Sequence, residues 1–174
     1  MVKSAPRAES PSREHRRPIT DGALSLRAFT PADADQTYLR WLRDPEVTEF
    51  IKFAAPTLPV ARRYVREAIR DPDARFFAIC LNGRKIGTIK LAPIQWAARA
   101  AEVGLMIGAR RQWGKGYGRR AILLACRYAY ERLGLRYVTA GIEAGNIGSV
   151  KSFERAGFEF QKEKGAWRCL KRLP

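Results

Sequence analysis

The chain has 174 residues, 46% of them hydrophobic and 29% charged, with 33 Lys and Arg against 17 Asp and Glu for a net charge of +16. That composition describes one soluble globular domain large enough for its own core, and no apolar run approaches the ~18 residues of a membrane span. The charge excess calls for an anionic partner, and the first residues lack the apolar segment of a secretory signal, so a cytoplasmic location is expected.

Residues 1–20 are rich in Ser, Pro, Arg and Glu and hold few apolar residues. They read as a mobile basic tail ahead of a domain at 21–174. Ala23–Phe29 alternates apolar and polar residues and reads as a first strand. Thr30-Pro31-Ala32-Asp33 then opens a helix expected to run to about Arg43, where Asp44-Pro45 stops it. A second helix fits Val60–Arg70. Arg75–Leu81 and Lys85–Leu91 read as a hairpin across Asn82-Gly83. A longer turn over Pro93–Arg99 leads to a fourth strand at Ala101–Ile107. Tyr117–Leu133 is a long helix with Gly134 as its C-cap. Arg136–Ile142 is a fifth strand, Gly148–Ala156 a short helix, and Phe158–Lys162 with Trp167–Leu170 a closing strand pair. The expected fold is one α/β (α+β) domain: a single mixed, mostly antiparallel sheet flanked by helices.

The three cysteines, Cys80, Cys126 and Cys169, are odd in number and widely spaced. They form neither a metal pattern nor a disulfide framework and read as buried thiols in a reducing compartment. The single histidine, His15, lies in the tail. A Ser-His-Asp hydrolase or a His-ligated metal site has almost nothing to be built from, and no metal is expected.

The charge is unevenly spread. Residues 110–174 hold 15 basic and 5 acidic residues, +10 of the total. At their head stands Arg110-Arg111-Gln112-Trp113-Gly114-Lys115-Gly116-Tyr117-Gly118-Arg119-Arg120, between a strand and a long helix. Three glycines at alternate positions let the backbone approach a ligand. Successive N–H groups before a helix N-terminus make an anion cradle, for which a diphosphate is the natural guest. A Walker A loop is absent, and Gly114-x-Gly116-x-Gly118 has the wrong spacing for a dinucleotide fingerprint. Arg/Gln-x-x-Gly-x-Gly fits from Arg111 to Gly116.

With these motifs in view the sequence resembles the GNAT acetyltransferase superfamily, over roughly Leu24 to Lys164. The resemblance rests on Leu26-Arg27-x-Phe29, Trp41-Leu42-Arg43-Asp44-Pro45-Glu46-Val47, Gly87-Thr88-Ile89, Ala101–Gly108, the 113–118 loop, and Asn146-x-x-Ser149-x-x-x-Phe153-Glu154-x-x-Gly157-Phe158. It is closest in character to the branch with ribosomal-protein N-terminal and small-amine or amino-sugar acetyltransferases. The resemblance implies acetyl-CoA as acetyl-donor cosubstrate and a splay between the fourth and fifth strands that takes its pantetheine arm. Main-chain groups around Met106, Ile107 and Gly108 would pair with that arm. Arg111, Gln112, Trp113, Gly114, Lys115, Gly116, Tyr117, Gly118 and Arg119 would hold the diphosphate. Asn146, Ser149, Lys151 and Phe153 would line the rest of the cofactor site, with Arg120 and Arg155 as further phosphate contacts.

Acetyl transfer to an amine requires proton removal from the amine, stabilisation of an oxyanion and protonation of the leaving thiolate. It needs no nucleophilic cysteine. Glu102 is the candidate general base, or else a glutamate paired with a base across the sheet. Many relatives use a tyrosine acid where this chain has Phe153. Ser149 is the substitute, or a helix-capping residue. Tyr38, Trp41, Phe50, Phe53 and Trp96 are candidates for the acceptor pocket or for core. The expected function is an acetyl-CoA-dependent N-acetyltransferase acting on a primary amine in a ternary complex, with an amino sugar or other small metabolite ahead of a protein N-terminus. The alternatives are an inactive acyl-CoA-binding domain or a nucleic-acid-binding module, the latter disfavoured. A homodimer is compatible with the resemblance.

Overall fold

A computed structural model describes residues 17–51 and 57–174. The strands are β1 (Ile19–Asp21), β2 (Leu24–Ala28), β3 (Arg75–Leu81), β4 (Arg84–Gln95), β5 (Ala100–Met106), β6 (Tyr137–Glu143), β7 (Glu159–Glu163) and β8 (Ala166–Arg172). The helices are α1 (Gln36–Arg43), α2 (Pro45–Thr48), α3 (Leu58–Arg70), α4 (Tyr117–Leu133) and α5 (Ile147–Arg155). The strands form one eight-stranded sheet in the order β1-β2-β3-β4-β5-β6-β8-β7. Every neighbouring pair is antiparallel except β5–β6, which is parallel.

Two apolar cores cover the two faces of the sheet. On one face α4 and α5 bury Ala121, Leu124, Ala125, Tyr128 and Phe153 against Leu26, Ile79, Leu91 and Val103. On the other, α1–α3 bury Tyr38, Trp41, Leu42, Ala61 and Val65 against Phe76, Ala78 and Met106. Each fully buried Leu, Ile or Val contributes about 1.5–3 kcal/mol, so these layers hold the sheet between them.

Three expectations need correction. Residues 1–16 of the expected tail lie outside the described residues, but Ile19 and Thr20 pair with Leu26 and Ser25 as strand β1. Arg120 and Arg127 of α4 hold that strand by bonds of 2.6 Å to Asp21 and to the Thr20 carbonyl. The splayed pair lies in the segments expected for it, which become β5 and β6 once β1 is counted. The expected helix from Thr30 is split into a 3₁₀ turn, Pro31–Asp33, and α1. Its break lies at Asp33–Asp35, because Asp33 turns back to Thr30 and Arg27 while Asp35 caps Tyr38 N–H at 2.8 Å. Finally, the turn expected from Pro93 begins at Trp96, since β4 continues to Gln95 across an irregularity between Leu91 and Ile94.

Candidate active site

The site begins where a ladder stops. The β5–β6 register joins Ala100, Ala101 and Glu102 to Tyr137, Val138 and Thr139 and goes no further. Beyond Glu102, β5 stays paired with β4 to Met106, while β6 stays paired with β8 to Glu143. The two inner edges face each other across an opening with no ladder between them. A cavity of about 570 Å³ occupies this place.

Its β5 wall is Glu102, Val103, Gly104, Leu105 and Met106, and its β6 wall Gly141, Ile142 and Glu143. Asn146, Ser149 and Phe153 line it from α5. Tyr38, Leu42, Phe50 and Tyr64 come from the α1–α3 side, and Glu163, Trp167 and Arg168 from the β7–β8 hairpin.

A glycine nest lies beside the opening. Gly114 and Gly116 have φ of 74° and 80°, the left-handed region that favours glycine. Gly116 is the N-cap of α4. No backbone N–H from Gly114 to Arg119 donates to a main-chain carbonyl of a described residue. The first turn of α4 has no acidic residue. Free N–H groups and the dipole's positive end therefore meet in a segment that also carries Lys115 and Arg119, which suits an anion. Gly118 keeps the nest close to the cavity: a β-carbon there would stand 3.3 Å from Ser152 Oγ and 3.6 Å from Leu105 Cδ1.

The loop between β5 and the nest is held rigidly. Ala109 N–H donates to the Ile86 carbonyl at 3.0 Å, and Trp113 Nε1 to the Ile107 carbonyl at 2.6 Å. Arg110 reaches α2, 2.6 Å from Glu46 Oε2. Arg111 is exposed. Gln112 Oε1 accepts from Lys115 Nζ at 3.3 Å. Arg119 Nε donates to the Arg155 carbonyl at 2.9 Å, which ties α4 to α5. Lys151 and Arg155 are exposed on α5. Arg120 turns away to Asp21, so it is not brought to the nest.

Glu102 sits at the last rung of β5–β6 pairing, on the cavity wall and half-exposed. Arg168 of β8 stands 3.7 Å from its carboxylate and 3.4 Å from Glu163. Asn146 caps α5, its Oδ1 accepting from Ser149 N–H at 3.1 Å. Ser149 is therefore the capped residue rather than the cap, and it faces the cavity. Phe153 is buried and packs edge-on to Phe158 with ring centres 5.0 Å apart.

Between α1 and the sheet, Lys85 is enclosed by polar and aromatic groups and does not line the cavity. Its ammonium is held by the Asp33 carbonyl at 2.5 Å and by Asp35 at 3.2 Å. It lies 5.4–5.9 Å from the ring centres of Phe29, Tyr38 and Trp41. Burial pushes the Tyr38 phenol well above its ordinary range. Trp41 packs on Gly108 rather than lining the cavity. Trp96 is remote, bonded to Asp73 at 2.7 Å. Phe53 lies outside the described residues.

Sequence reasoning missed Lys90, which bonds the Tyr64 hydroxyl at 3.1 Å, and the carboxylates Glu143 and Glu163. Alternation along the strands marked none of them, since each becomes a wall residue only once the sheet order is known. Burial pushes the Cys126 thiol up to about 12 and the Cys169 thiol up to about 11. Among the described residues no cluster of His, Cys, Asp and Glu could hold a metal, and no helix is long and apolar enough to cross a membrane.

A mixed sheet with one parallel opening and a glycine nest beside it defines a class of α/β proteins that bind an extended, diphosphate-bearing ligand. The acetyltransferase (GNAT) domain model matches residues 23–159, and the chain belongs to that family. It is 24% identical to an uncharacterized protein of Methanocaldococcus jannaschii over 146 residues, 82% of this chain and 29% of that protein. It is 30% identical to the spermidine N(1)-acetyltransferase of Escherichia coli K12 over 95 residues, 55% of this chain and 50% of that enzyme. The chain thus spans half or less of the length of these curated relatives. The fold matches a Vibrio cholerae spermidine N-acetyltransferase solved with CoA and spermine, with a TM-score of 0.77 at 21% identity, over 87% of this chain and 96% of that one.

Proposed function

We propose that this chain moves an acetyl group from acetyl-CoA directly to a primary amine, in a ternary complex, and that the acceptor is a small metabolite such as an amino sugar or a polyamine. The observation that carries the reading is the opening between β5 and β6 with the glycine nest beside it. An unpaired strand edge accepts an extended, amide-bearing arm in the manner of an added strand. Around Met106, Ile107 and Gly108 that edge would take the pantetheine amides. The N–H groups from Gly114 to Arg119, with Lys115, Arg119 and Lys151 near them, would hold the phosphates.

Acetyl-CoA supplies the acetyl group as an activated thioester. The chain's residues do the rest. Glu102 would accept the amine proton through a water, and Ser149 would return a proton to the departing sulfur. Cys126 and Cys169, protonated at neutral pH, are poor nucleophiles, which supports direct transfer over an acetylated cysteine.

Support for a small cationic acceptor comes from the walls. Glu102, Glu143 and Glu163 face the cavity together with Tyr38, Phe50, Tyr64 and Trp167, a mixture of carboxylates and aromatic faces that suits an ammonium. The few acids on the first helices speak against an aminoglycoside held from that side. The acids of this cavity come from β5, β6 and β7 instead. The spermidine acetyltransferases among the relatives point the same way.

Phe153 favours a second reading, a domain that binds acyl-CoA without turnover, because phenylalanine has no proton to give. Free-thiol release from acetyl-CoA across a panel of amino sugars, polyamines and N-terminal peptides tests the proposal. Acceptor-dependent release with a polyamine or amino sugar supports it. Calorimetric binding of acetyl-CoA with no release from any amine supports the second reading.

A further inference from the structure

Helix α3 carries a concentration of positive charge that the acetyl-transfer site does not use. Arg62, Arg63, Arg66 and Arg70 are all exposed, and Glu67 is the only acid of the helix. At 3.6 residues per turn the four arginines fall within a sector of about 100°, turned away from the buried Ala61, Val65 and Ala68. Arg62, Arg66 and Arg70 follow one another along this ridge at steps of about 6 Å. Arg62 Nε donates to the Ala34 carbonyl at 3.3 Å. Arg63, Arg66 and Arg70 make no hydrogen bond or ion pair with a described residue.

The contrast with α4 sharpens the point. Its Arg120, Arg127 and Arg132 are spent on Asp21, the Thr20 carbonyl and the Arg17 carbonyl, so part of the surplus charge ties β1 to the domain. Of the α3 arginines only Arg62 makes such a tie, and Arg63, Arg66 and Arg70 make none to a described residue. Like charges four residues apart repel and weaken a helix, so the pattern has a cost that the fold does not recover. The ridge also has no lysine. The planar arginine fork binds phosphate through two parallel bonds, which an ammonium cannot do.

We propose that the arginine ridge of α3 docks on the phosphate backbone of a nucleic acid. Evenly spaced guanidinium groups along one line match a repeating phosphate chain, and contacts of this kind position a protein without reading sequence. A lipid surface fits less well. An interfacial helix inserts an apolar face, and that of α3 is buried against the sheet. The surface is separate from the glycine nest, so the proposal stands or falls independently of acetyl transfer.

Fluorescence anisotropy with labelled duplex DNA and duplex RNA of unrelated sequence, read over a range of salt with CoA in excess, tests it. The wild type binds, and log K falls linearly with log salt. In R62Q/R63Q/R66Q/R70Q the slope on duplex DNA is shallower by about 0.9 for each phosphate no longer neutralised, a change of about 3–4. The single variant Arg66→Glu weakens binding on both probes, and whichever duplex binds more tightly identifies the source of the phosphates. Thermal unfolding of the variants at or above the wild-type temperature keeps misfolding out of the result. An unchanged slope in the quadruple variant overturns the proposal. So does wild-type binding that CoA abolishes, or arginine-dependent capture by anionic vesicles without binding to either duplex.

Discussion

The indole of Trp41 packs against Gly108, so close that a β-carbon on Gly108 would stand 2.1 Å from the ring. Through this contact α1 sets the position of the segment that follows β5. Gly87 does the same from the other side, since a β-carbon there would meet the Met106 carbonyl at 2.2 Å. The end of the strand that borders the opening is thus gripped between a helix and β4.

Gly108→Ala therefore forces Trp41 or the 107–109 backbone to move. Overpacking of this kind costs about 1–3 kcal/mol. Chemical denaturation reads that loss, and the KM for acetyl-CoA rises. Trp41→Leu combined with Gly108→Ala recovers part of the stability.

Gly116 has open space around its missing β-carbon but a φ of 80°. Gly116→Ala meets no clash, only a left-handed backbone that costs an L-residue roughly 1–2 kcal/mol. Acetyl-CoA affinity falls about tenfold by calorimetry, while thermal stability changes little, because the strain is relieved by reshaping the nest. Unchanged affinity would remove the nest from the cofactor site.

Asp33 is mostly buried. Burial alone would raise its carboxyl, but hydrogen bonds from Arg27 and Thr30 outweigh it and hold the group near about 2, below its ordinary 3.8. A depressed carboxyl contributes stability above its unfolded value and loses it as pH falls through the folded one. Asp33 therefore contributes about 1–2 kcal/mol at neutral pH, after allowance for the exposed side of Arg27. That contribution disappears between about pH 4 and pH 2. Asp33→Asn is less stable at pH 7, and denaturation curves of the two proteins converge at low pH.

Glu102→Gln keeps the shape of the side chain while removing the base and its charge. The expected fall in kcat is about 10²–10⁴-fold with little change in acetyl-CoA binding. Glu163→Gln, which removes the other carboxylate beside Arg168, leaves kcat within a few-fold. Equal, small effects from both variants would assign Glu102 to the ion pair alone.

Local chemistry made much of the fold legible. Asn82 and Gly83 have φ of 48° and 75°, the paired positive values that an Asn-Gly hairpin requires. Gly134 caps α4 in the left-handed region, its N–H donating to Ala129 and Tyr130. The glycine motif falls at the junction where its spacing put it. What stayed hidden depends on distant partners. Strand β1 buries only Ile19 and is held by arginines about a hundred residues away, so no periodicity announces it. The Glu102–Arg168 pair arises because β8 inserts between β6 and β7, an order that the hairpin signal at Gly165 does not reveal. Lys85 opens the second strand of that hairpin, and nothing in its sequence neighbours marks it as a mostly buried ammonium among three rings.

Direct transfer at the β5–β6 opening is tested most directly by a labelled acetyl group. The protein is mixed with acetyl-labelled acetyl-CoA alone, quenched and separated; amine is then added to a second portion. The predicted result is no label on the denatured protein in the first portion, and label on the amine with one equivalent of free CoA in the second. Label retained on the protein before amine is added, or none on any amine despite bound acetyl-CoA, would contradict it.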